Sequence, residues 1–362
     1  MRPMSPPQDS DLGRLRQAMR ALDLEILGRL NQRAVLSLQI RSLREIDVKL
    51  VMTELPEAAW LAELAAASEG PLPKESLRTI FRALSAEARG LEQLVRVAFL
   101  EPLGGFGHEV SKCFFGSNAL LEESPTTEAA LEQVARGRVG FAVIPLESST
   151  EGLVQLSVTE LAKTDLPIVA ERSISANYDW MGRSGSPKIE RIFATPHAHA
   201  ACERFLQMEF PEAVVVDVRS PAAAAQQTAE TANSACLVPV GCGEDFGLAT
   251  FRANVGADSE LKHRYAVVGS RPAMRTGNDT TCLLFGGDDA PGALHGILSQ
   301  FAERGINLKK LQSRPHDSDS WEYVFYVEIG GHVSDRAVVT ALEAVRRSTK
   351  YLKVLGSFPS ES

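Results

Sequence analysis

Leu15, Met19, Leu22, Ile26, Leu27 and Leu30 return at steps of three and four, the spacing of one face of a long α-helix. The pattern begins at Leu12. After a breaker at Glu69-Gly-Pro-Leu-Pro it resumes from Lys74 to about Gln93, with Leu77, Ile80, Phe81 and Leu84 on one face. Thr53 to Ala67 reads as a shorter, alanine-rich helix between the two. So few helices of that length enclose little core alone, so the pattern predicts that a second copy packs against this all-α unit.

At Leu94 the period changes. VRVAFLEP, GRVGFAVIPLE, PIVAER, RIFAT, AVVVDV, ACLVPV and RYAVVG are short β-branched runs separated by glycine, proline or helical stretches such as Thr127 to Arg136. Strands alternating with helices predict an α/β layered domain, with small molecules bound in crevices beyond the carboxyl ends of strands. Ile144-Pro-Leu-Glu-Ser-Ser and Phe193-Ala-Thr-Pro-His are strand exits of that kind. A linker, Gly269 to Gly277, leads to TTCLLFG, the helix PGALHGILSQFAERG, the strands NLKKLQSRP and EYVFYVEIGG, and a helix from Ser334 to Thr349. That βαββα order predicts a small α+β ferredoxin-like unit, with Pro315 confining NLKKLQSRP to a sheet edge. The divisions expected are residues 1–93, 94–271 and 278–362.

Composition adds exclusions. At 362 residues the chain exceeds one ordinary core, and its net charge of -8 gives no electrostatic reason to bind nucleic acid or an anionic membrane. MRPMSPPQDSD lacks the apolar core of a signal peptide, and no apolar run approaches a membrane span, so a cytoplasmic location is expected. Cys113, Cys202, Cys236, Cys242 and Cys282 form no CxxC pair and read as reduced and mostly packed. His197, His199 and His263 have no aspartate or cysteine at ligand spacing, so no metal is expected. GGFG and GGDDAPG match neither a dinucleotide nor a phosphate-loop pattern, so no cofactor is implied.

Four groups of residues carry the chemistry. LRQAMRALD and LNQRA place Arg16 and Arg33 on the first helix, followed by Arg44, with Thr53, Pro56, Glu57, Ala88 and Glu92 further on. Glu101-Pro-Leu-Gly-Gly-Phe-Gly-His follows the first strand, and Pro145-Leu-Glu-Ser-Ser-Thr-Glu-Gly follows a later one. Ala194-Thr-Pro-His, Ser220-Pro-Ala-Ala-Ala-Ala and His263-Arg264-Tyr265 complete the α/β part, and Gly292-Ala-Leu-His with Gln312-Ser-Arg-Pro the C-terminal part. In domain order and motifs, from about Leu12 to Phe358, the chain resembles the P-protein family: fused chorismate mutase and prephenate dehydratase with an ACT regulatory domain. The resemblance implies an all-α mutase domain, a two-lobed, periplasmic-binding-protein-like α/β dehydratase domain and a ferredoxin-like ACT domain. It also implies chorismate and prephenate as substrates, phenylalanine as effector, and a homodimer or higher oligomer.

Family roles carry over residue by residue. Rearranging chorismate moves no proton, so holding a dianion and stabilising the ether oxygen suffice. The resemblance gives Arg16 and Arg33 to the carboxylates, Arg44 to the place of a lysine that reaches the ether oxygen, and Glu57 to the substrate hydroxyl. Thr53 belongs to the same implied site, Pro56 stands for an arginine, and Ala88 and Glu92 for a small hydroxyl residue and a glutamine. In the dehydratase part, a GxxGTxS-like turn keeps Gly104 and Phe106 but has Gly105 and Gly107 where threonine and serine stand. A PxENS-like segment keeps Glu147, Ser149 and Gly152, with Ser148 in the asparagine's place. A TRF-like motif becomes His263-Arg264-Tyr265, so the threonine that would donate to the leaving hydroxyl is a histidine, whose pKa of about 6.5 leaves imidazolium near neutrality. In the ACT part, Gly292, Ala293 and Leu294 with Ser313, Arg314 and Pro315 are the implied effector contacts, the helix start meeting a carboxylate through backbone N–H groups. The lost hydroxyls leave two alternatives open: a regulatory paralogue that binds an aromatic amino acid without catalysis, and a decarboxylase of prephenate that does not aromatise.

Overall fold

The helical periodicity closes into α1 (Asp9–Ile46), α2 (Glu57–Ala67) and α3 (Lys74–Glu92). The computed structural model describes residues 9–46, 57–92, 95–116, 118–149, 152–185, 188–255, 262–287, 290–315 and 323–360. Trp60 of α2 meets Phe81 of α3 edge to face at 5.7 Å. Leu15, Met19, Leu22, Ile26, Leu27, Val35 and Leu36 of α1 remain exposed, so one apolar side of the long helix has no cover within the chain.

The next segment folds as two lobes. The first sheet runs in the order β2-β1-β3-β11-β5, from β1 (Arg96–Leu100), β2 (Leu120–Ser124), β3 (Phe141–Ser148), β5 (Ile168–Ser175) and β11 (Lys262–Gly269), with β4 (Gly152–Leu153) beside β3. α4 (Phe106–Phe115), α5 (Thr127–Ala135) and α6 (Gln155–Lys163) belong to this lobe. The chain then builds a second sheet of order β10-β6-β9-β7-β8, from β6 (Tyr178–Gly182), β7 (Arg191–Ala194), β8 (Val214–Asp217), β9 (Ser234–Pro239) and β10 (Ala249–Val255). It carries α7 (Pro196–Ala201), α8 (Glu203–Glu209) and α9 (Pro221–Glu230). β11 returns to the first lobe and pairs antiparallel with both β3 and β5. One apolar core spans the two lobes, from Val97, Phe99 and Tyr265 to Trp180, Ile192 and Leu237.

The C-terminal unit is β12 (Asp279–Gly286), α10 (Ala293–Ala302), β13 (Leu308–Pro315), β14 (Tyr323–Gly330), α11 (Arg336–Arg347) and β15 (Tyr351–Pro359). Its sheet order is β13-β14-β12-β15, which puts β13 at the edge that Pro315 requires. The expected βαββα order thus gains a sixth element: YLKVLGSFP forms β15, paired with β12. The sheet is covered on both faces. Leu283, Phe285, Val327 and Ile329 pack with α10 and α11, while Cys282, Leu284, Val324 and Tyr326 join Ala142, Ile144, Leu146, Ala266 and Val268 of the first lobe in another core. That double burial explains why its strands read as continuous apolar runs.

β15 also lies against β5 so closely that a methyl group on Gly356 would stand 2.2 Å from the Ile168 carbonyl oxygen and 2.7 Å from its nitrogen. Both neighbours are backbone, so the domains must move apart to admit it. Gly356→Ala is therefore expected to lower unfolding stability by about 1–3 kcal/mol in urea titrations.

Candidate active site

At its carboxyl edge the first sheet opens onto the cleft between lobes. The turn after β1 approaches the second lobe: a methyl group on Gly104, whose φ is +84°, would stand 2.5 Å from Cys242 Sγ and 3.2 Å from the Ala222 nitrogen of α9. Helix α9 starts under the Ser220 hydroxyl, which accepts from the Ala223 N–H at 3.1 Å, and α7 starts under Thr195 in the same way, accepting from Ala198 at 3.2 Å. Helix α4 has no such cap from its own N-cap residue, Gly105. The Glu101 carboxylate takes that place, its Oε2 accepting the Gly107 N–H at 3.1 Å while its Oε1 accepts the Tyr265 hydroxyl at 2.5 Å.

Alternation along β11 splits the HRY motif between two faces. His263 and Tyr265 face the second lobe, Tyr265 buried in the core that the two lobes share. The His263 ring stacks on Phe106 at 5.3 Å and lies 6.1 Å from the ring of His197, on α7. His199 instead approaches Asp217, Nδ1 to Oδ1 at 3.6 Å. Among the described residues no three such side chains gather into a metal-binding group.

Arg264 faces the other way, into the junction with the C-terminal sheet. Its guanidinium meets Glu147 Oε2 at 3.0 Å, Glu171 Oε2 at 3.2 Å and Glu328 Oε2 at 3.0 Å, with a second bond to Glu328 Oε1. Lys310 of β13 pairs with Glu147, and Tyr326 donates its hydroxyl to Glu328 at 2.8 Å. Burial pushes the Glu328 carboxyl up, but Arg264, the Tyr326 hydroxyl and Lys310 outweigh it and hold it below the usual carboxylate range. Burial works against the Arg264 charge, and Glu328 outweighs it. Glu147 and Arg264, expected with the catalytic groups, thus stand together but away from His263. Ser149 lies at the rim, its hydroxyl accepting the Lys262 N–H at 3.0 Å.

In the helical unit, Arg33 is the residue the structure gathers others around. Its Nη1 donates to the Leu84 carbonyl of α3 at 2.9 Å, and its guanidinium lies over Trp60 of α2, 6.0 Å from the ring centroid. Ala88, buried, is one turn beyond Leu84. Arg16 is exposed, 17 residues earlier on the same helix and so about 25 Å away. Arg44, Glu57 and Glu92 lie on α1, α2 and α3 with side chains outside the described part, and Thr53 and Pro56 lie outside the described residues. In the C-terminal unit Gly292, with φ +84°, opens α10 without a side-chain cap, ahead of the half-buried Ala293 and Leu294. Ser313 is exposed on β13, and the side chains of Arg314 and Pro315 are outside the described part.

His332 sits in a turn but is buried, its ring bonded to Ser334 Oγ at 2.7 Å and the Ala273 carbonyl at 3.3 Å. His108 is half-buried against Phe99, ring centroids 5.1 Å apart, whereas His316 lies outside the described residues. Glu101, Tyr265, Glu171, Lys310 and Glu328 went unnoticed as site residues. Glu328 left a signal, the one carboxylate in the apolar run YVFYVEIGG.

Replacing Arg264 by Met removes the cation that faces three carboxylates. The expected loss of stability is about 3–5 kcal/mol at neutral pH, measured by urea unfolding. Glu109 of α4 offers a pH test: burial, then the nearby Asp179 charge, push its carboxyl up to about 7. The folded chain keeps that proton where the unfolded chain has released it, so stability falls as pH rises from about 4.5 to about 7. Thermal melts should show Glu109→Gln gaining on the native chain across that interval and holding the gain above it.

Family models match in the same order as the folded units: chorismate mutase type II over residues 15–93, prephenate dehydratase over 97–273 and the ACT domain over 283–347. The bifunctional chorismate mutase/prephenate dehydratase of Aquifex aeolicus is 30% identical over 354 residues, covering 96% of this chain and 98% of that protein. The bifunctional protein of Neisseria gonorrhoeae is 30% identical over 349 residues, covering 95% and 96%. Among solved structures, prephenate dehydratase from Arthrobacter aurescens in complex with L-Phe superposes with a TM-score of 0.63 at 30% identity, over 74% of this chain and 90% of that one. With this agreement along nearly its whole length, the chain belongs to the bifunctional chorismate mutase/prephenate dehydratase family.

Proposed function

We propose that this protein catalyses two consecutive steps of phenylalanine biosynthesis, chorismate to prephenate in the helical domain and prephenate to phenylpyruvate in the two-lobed domain, under control of phenylalanine at the ACT domain. The observation that carries this is the full-length match to bifunctional relatives, supported by the two-lobed domain and by the cation Arg33 in the helical one. The same match disfavours a sensor without catalysis and a decarboxylase that leaves the ring unaromatised.

The mutase step needs a folded dianion and a donor near the breaking ether bond. Arg33, fixed by Leu84 and Trp60, supplies a preset cation, and Arg44 lies three turns further along α1. Arg16 is too far along α1 to join them in one protomer. A second copy packed on the exposed apolar side of α1 supplies it, so each mutase site draws on two chains.

The dehydratase step loses carbon dioxide and a hydroxyl group from a substrate with two carboxylates. The amino ends of α4 and α9, which meet at Gly104 and Ala222, bring partial positive charge to the cleft. The Arthrobacter relative was solved with L-Phe, which supports the same amino acid as effector here. Its implied strand β13 carries Lys310 onto Glu147 and places the Gln312 amide within 3.3 Å of where a methyl group on Gly152 would stand, so effector binding acts on the junction directly.

Purified protein given chorismate is expected to form prephenate and then phenylpyruvate, identified by mass, while protein that leaves both substrates unchanged would overturn the proposal. Arg16→Ala and Arg33→Ala should each cost the mutase rate at least about tenfold. Mixing the two variants should restore up to about a quarter of native mutase activity through mixed dimers with one intact site; no recovery would place each site within a single chain.

A further inference from the structure

We propose that Glu101 is the proton donor of the dehydratase step in this chain, its carboxyl standing in the cleft where related turns present hydroxyls. The inference rests on the dehydratase reading above. The related turn, GxxGTxS, begins with a glycine where this chain has Glu101, and Glu101 keeps a left-handed backbone, φ +89°. Among the described residues only Asn233 and Asn254 share that sign without being glycine. For glutamate the conformation costs about 1–2 kcal/mol, so it persists only where other contacts impose it.

Those contacts account for the other exchanges. A methyl group on Gly105 would stand 3.0 Å from Glu101 Oε2 and 3.0 Å from the Pro102 carbonyl oxygen, and one on Gly107 would stand 2.3 Å from the Leu100 carbonyl oxygen. A side chain at 105 would thus crowd the Glu101 carboxyl in its present place, whereas at 107 it would meet the Leu100 backbone. Where relatives carry the phenylalanine of TRF, this chain has Tyr265, whose hydroxyl is bonded to Glu101 Oε1 at 2.5 Å. The changes at 101, 105 and 265 thus belong together: a glycine, a threonine and a phenylalanine give way to one carboxyl with its own tyrosine.

The carboxyl suits acid catalysis. It is half-buried beside the cleft. Burial raises its pKa, against the opposing pull of the Tyr265 hydroxyl, the Gly107 and Phe106 N–H groups and His197. The titratable groups around it are Tyr265 of β11, His197 of α7 and Tyr178 of β6, with Glu109 of α4 acting on Tyr265 and His263 beside His197. In the reaction the bond from ring to carboxylate breaks, and its electron pair completes the aromatic ring as the ring C–O bond breaks. The departing hydroxyl takes the Glu101 proton and leaves as water, carbon dioxide leaves with it, and the Glu101 carboxylate regains a proton from solvent.

The competing role is structural, since Glu101 also caps α4. Glu101→Gln separates the two, because the amide oxygen still accepts the Gly107 N–H while no carboxyl proton remains. Phenylpyruvate formation from prephenate should fall about 100-fold or more in kcat, with chorismate consumption by the same preparation reporting that the chain is folded. Native kcat should decline as pH rises through the Glu101 titration, and that limb should be absent in Glu101→Gln. A Glu101→Gln enzyme within about threefold of native kcat, with the same pH limb, would overturn the role. Native protein that forms no phenylpyruvate would overturn the dehydratase reading and this role together, whereas an active native enzyme with an equally active Glu101→Gln overturns this role alone.

Discussion

A guanidinium that keeps its charge at every accessible pH and is only 17% exposed must be surrounded by acceptors, and Arg264 dictates its surroundings on those terms. Glu147 and Glu171 come from strands beside it in the first lobe, and Glu328 from the ACT sheet. Three carboxylates face two cations, Arg264 and Lys310, so removing either cation leaves carboxylates uncompensated. The apolar layer around this cluster, Ile144, Leu146, Ala266, Leu284 and Tyr326, belongs equally to both domains. The ACT domain is therefore seated on the dehydratase domain by shared core and shared charge.

The same strand also reaches the second lobe. Arg264 lies between His263 and Tyr265, so any shift of β11 that adjusts the ion cluster also moves the two residues that face that lobe. On that face Tyr265 is bonded to Glu101, and Glu101 to the first turn of α4. A path of direct contacts runs from β13 through Lys310 and Glu147 to Arg264, and through one strand to the proton donor proposed for the chemistry.

Much of this could be read in the sequence where local pattern decides structure. The long helix, the seven β-branched runs and the position of Pro315 at an edge all follow from period and turn chemistry. YLKVLGSFP was missed as a strand, and so were YDWMG and LLEES, because their pairing is set by distant partners. Motif order identified the three domains, and the exchanges at Gly105, Gly107 and His263 were visible as lost hydroxyls. Their compensation was not, since nothing in the order of residues says that the Glu101 carboxyl folds back onto Gly107 or that Tyr265 reaches it. Nor could the sequence tell that Arg264 and His263, adjacent in the chain, serve opposite faces. The register of β11 against β3, with its irregularity after Arg264, settles that.

The claim that joins these parts is that charge at the domain junction transmits effector occupancy to the cleft. Phenylalanine inhibition of prephenate dehydration, compared between the native enzyme and Glu328→Gln, tests it most directly, with calorimetry on both to follow phenylalanine binding. The account predicts that Glu328→Gln still binds phenylalanine but is inhibited at least about fivefold less effectively, the loss of a coupling of about 1 kcal/mol or more. Equal binding together with equal inhibition in the two proteins would contradict it.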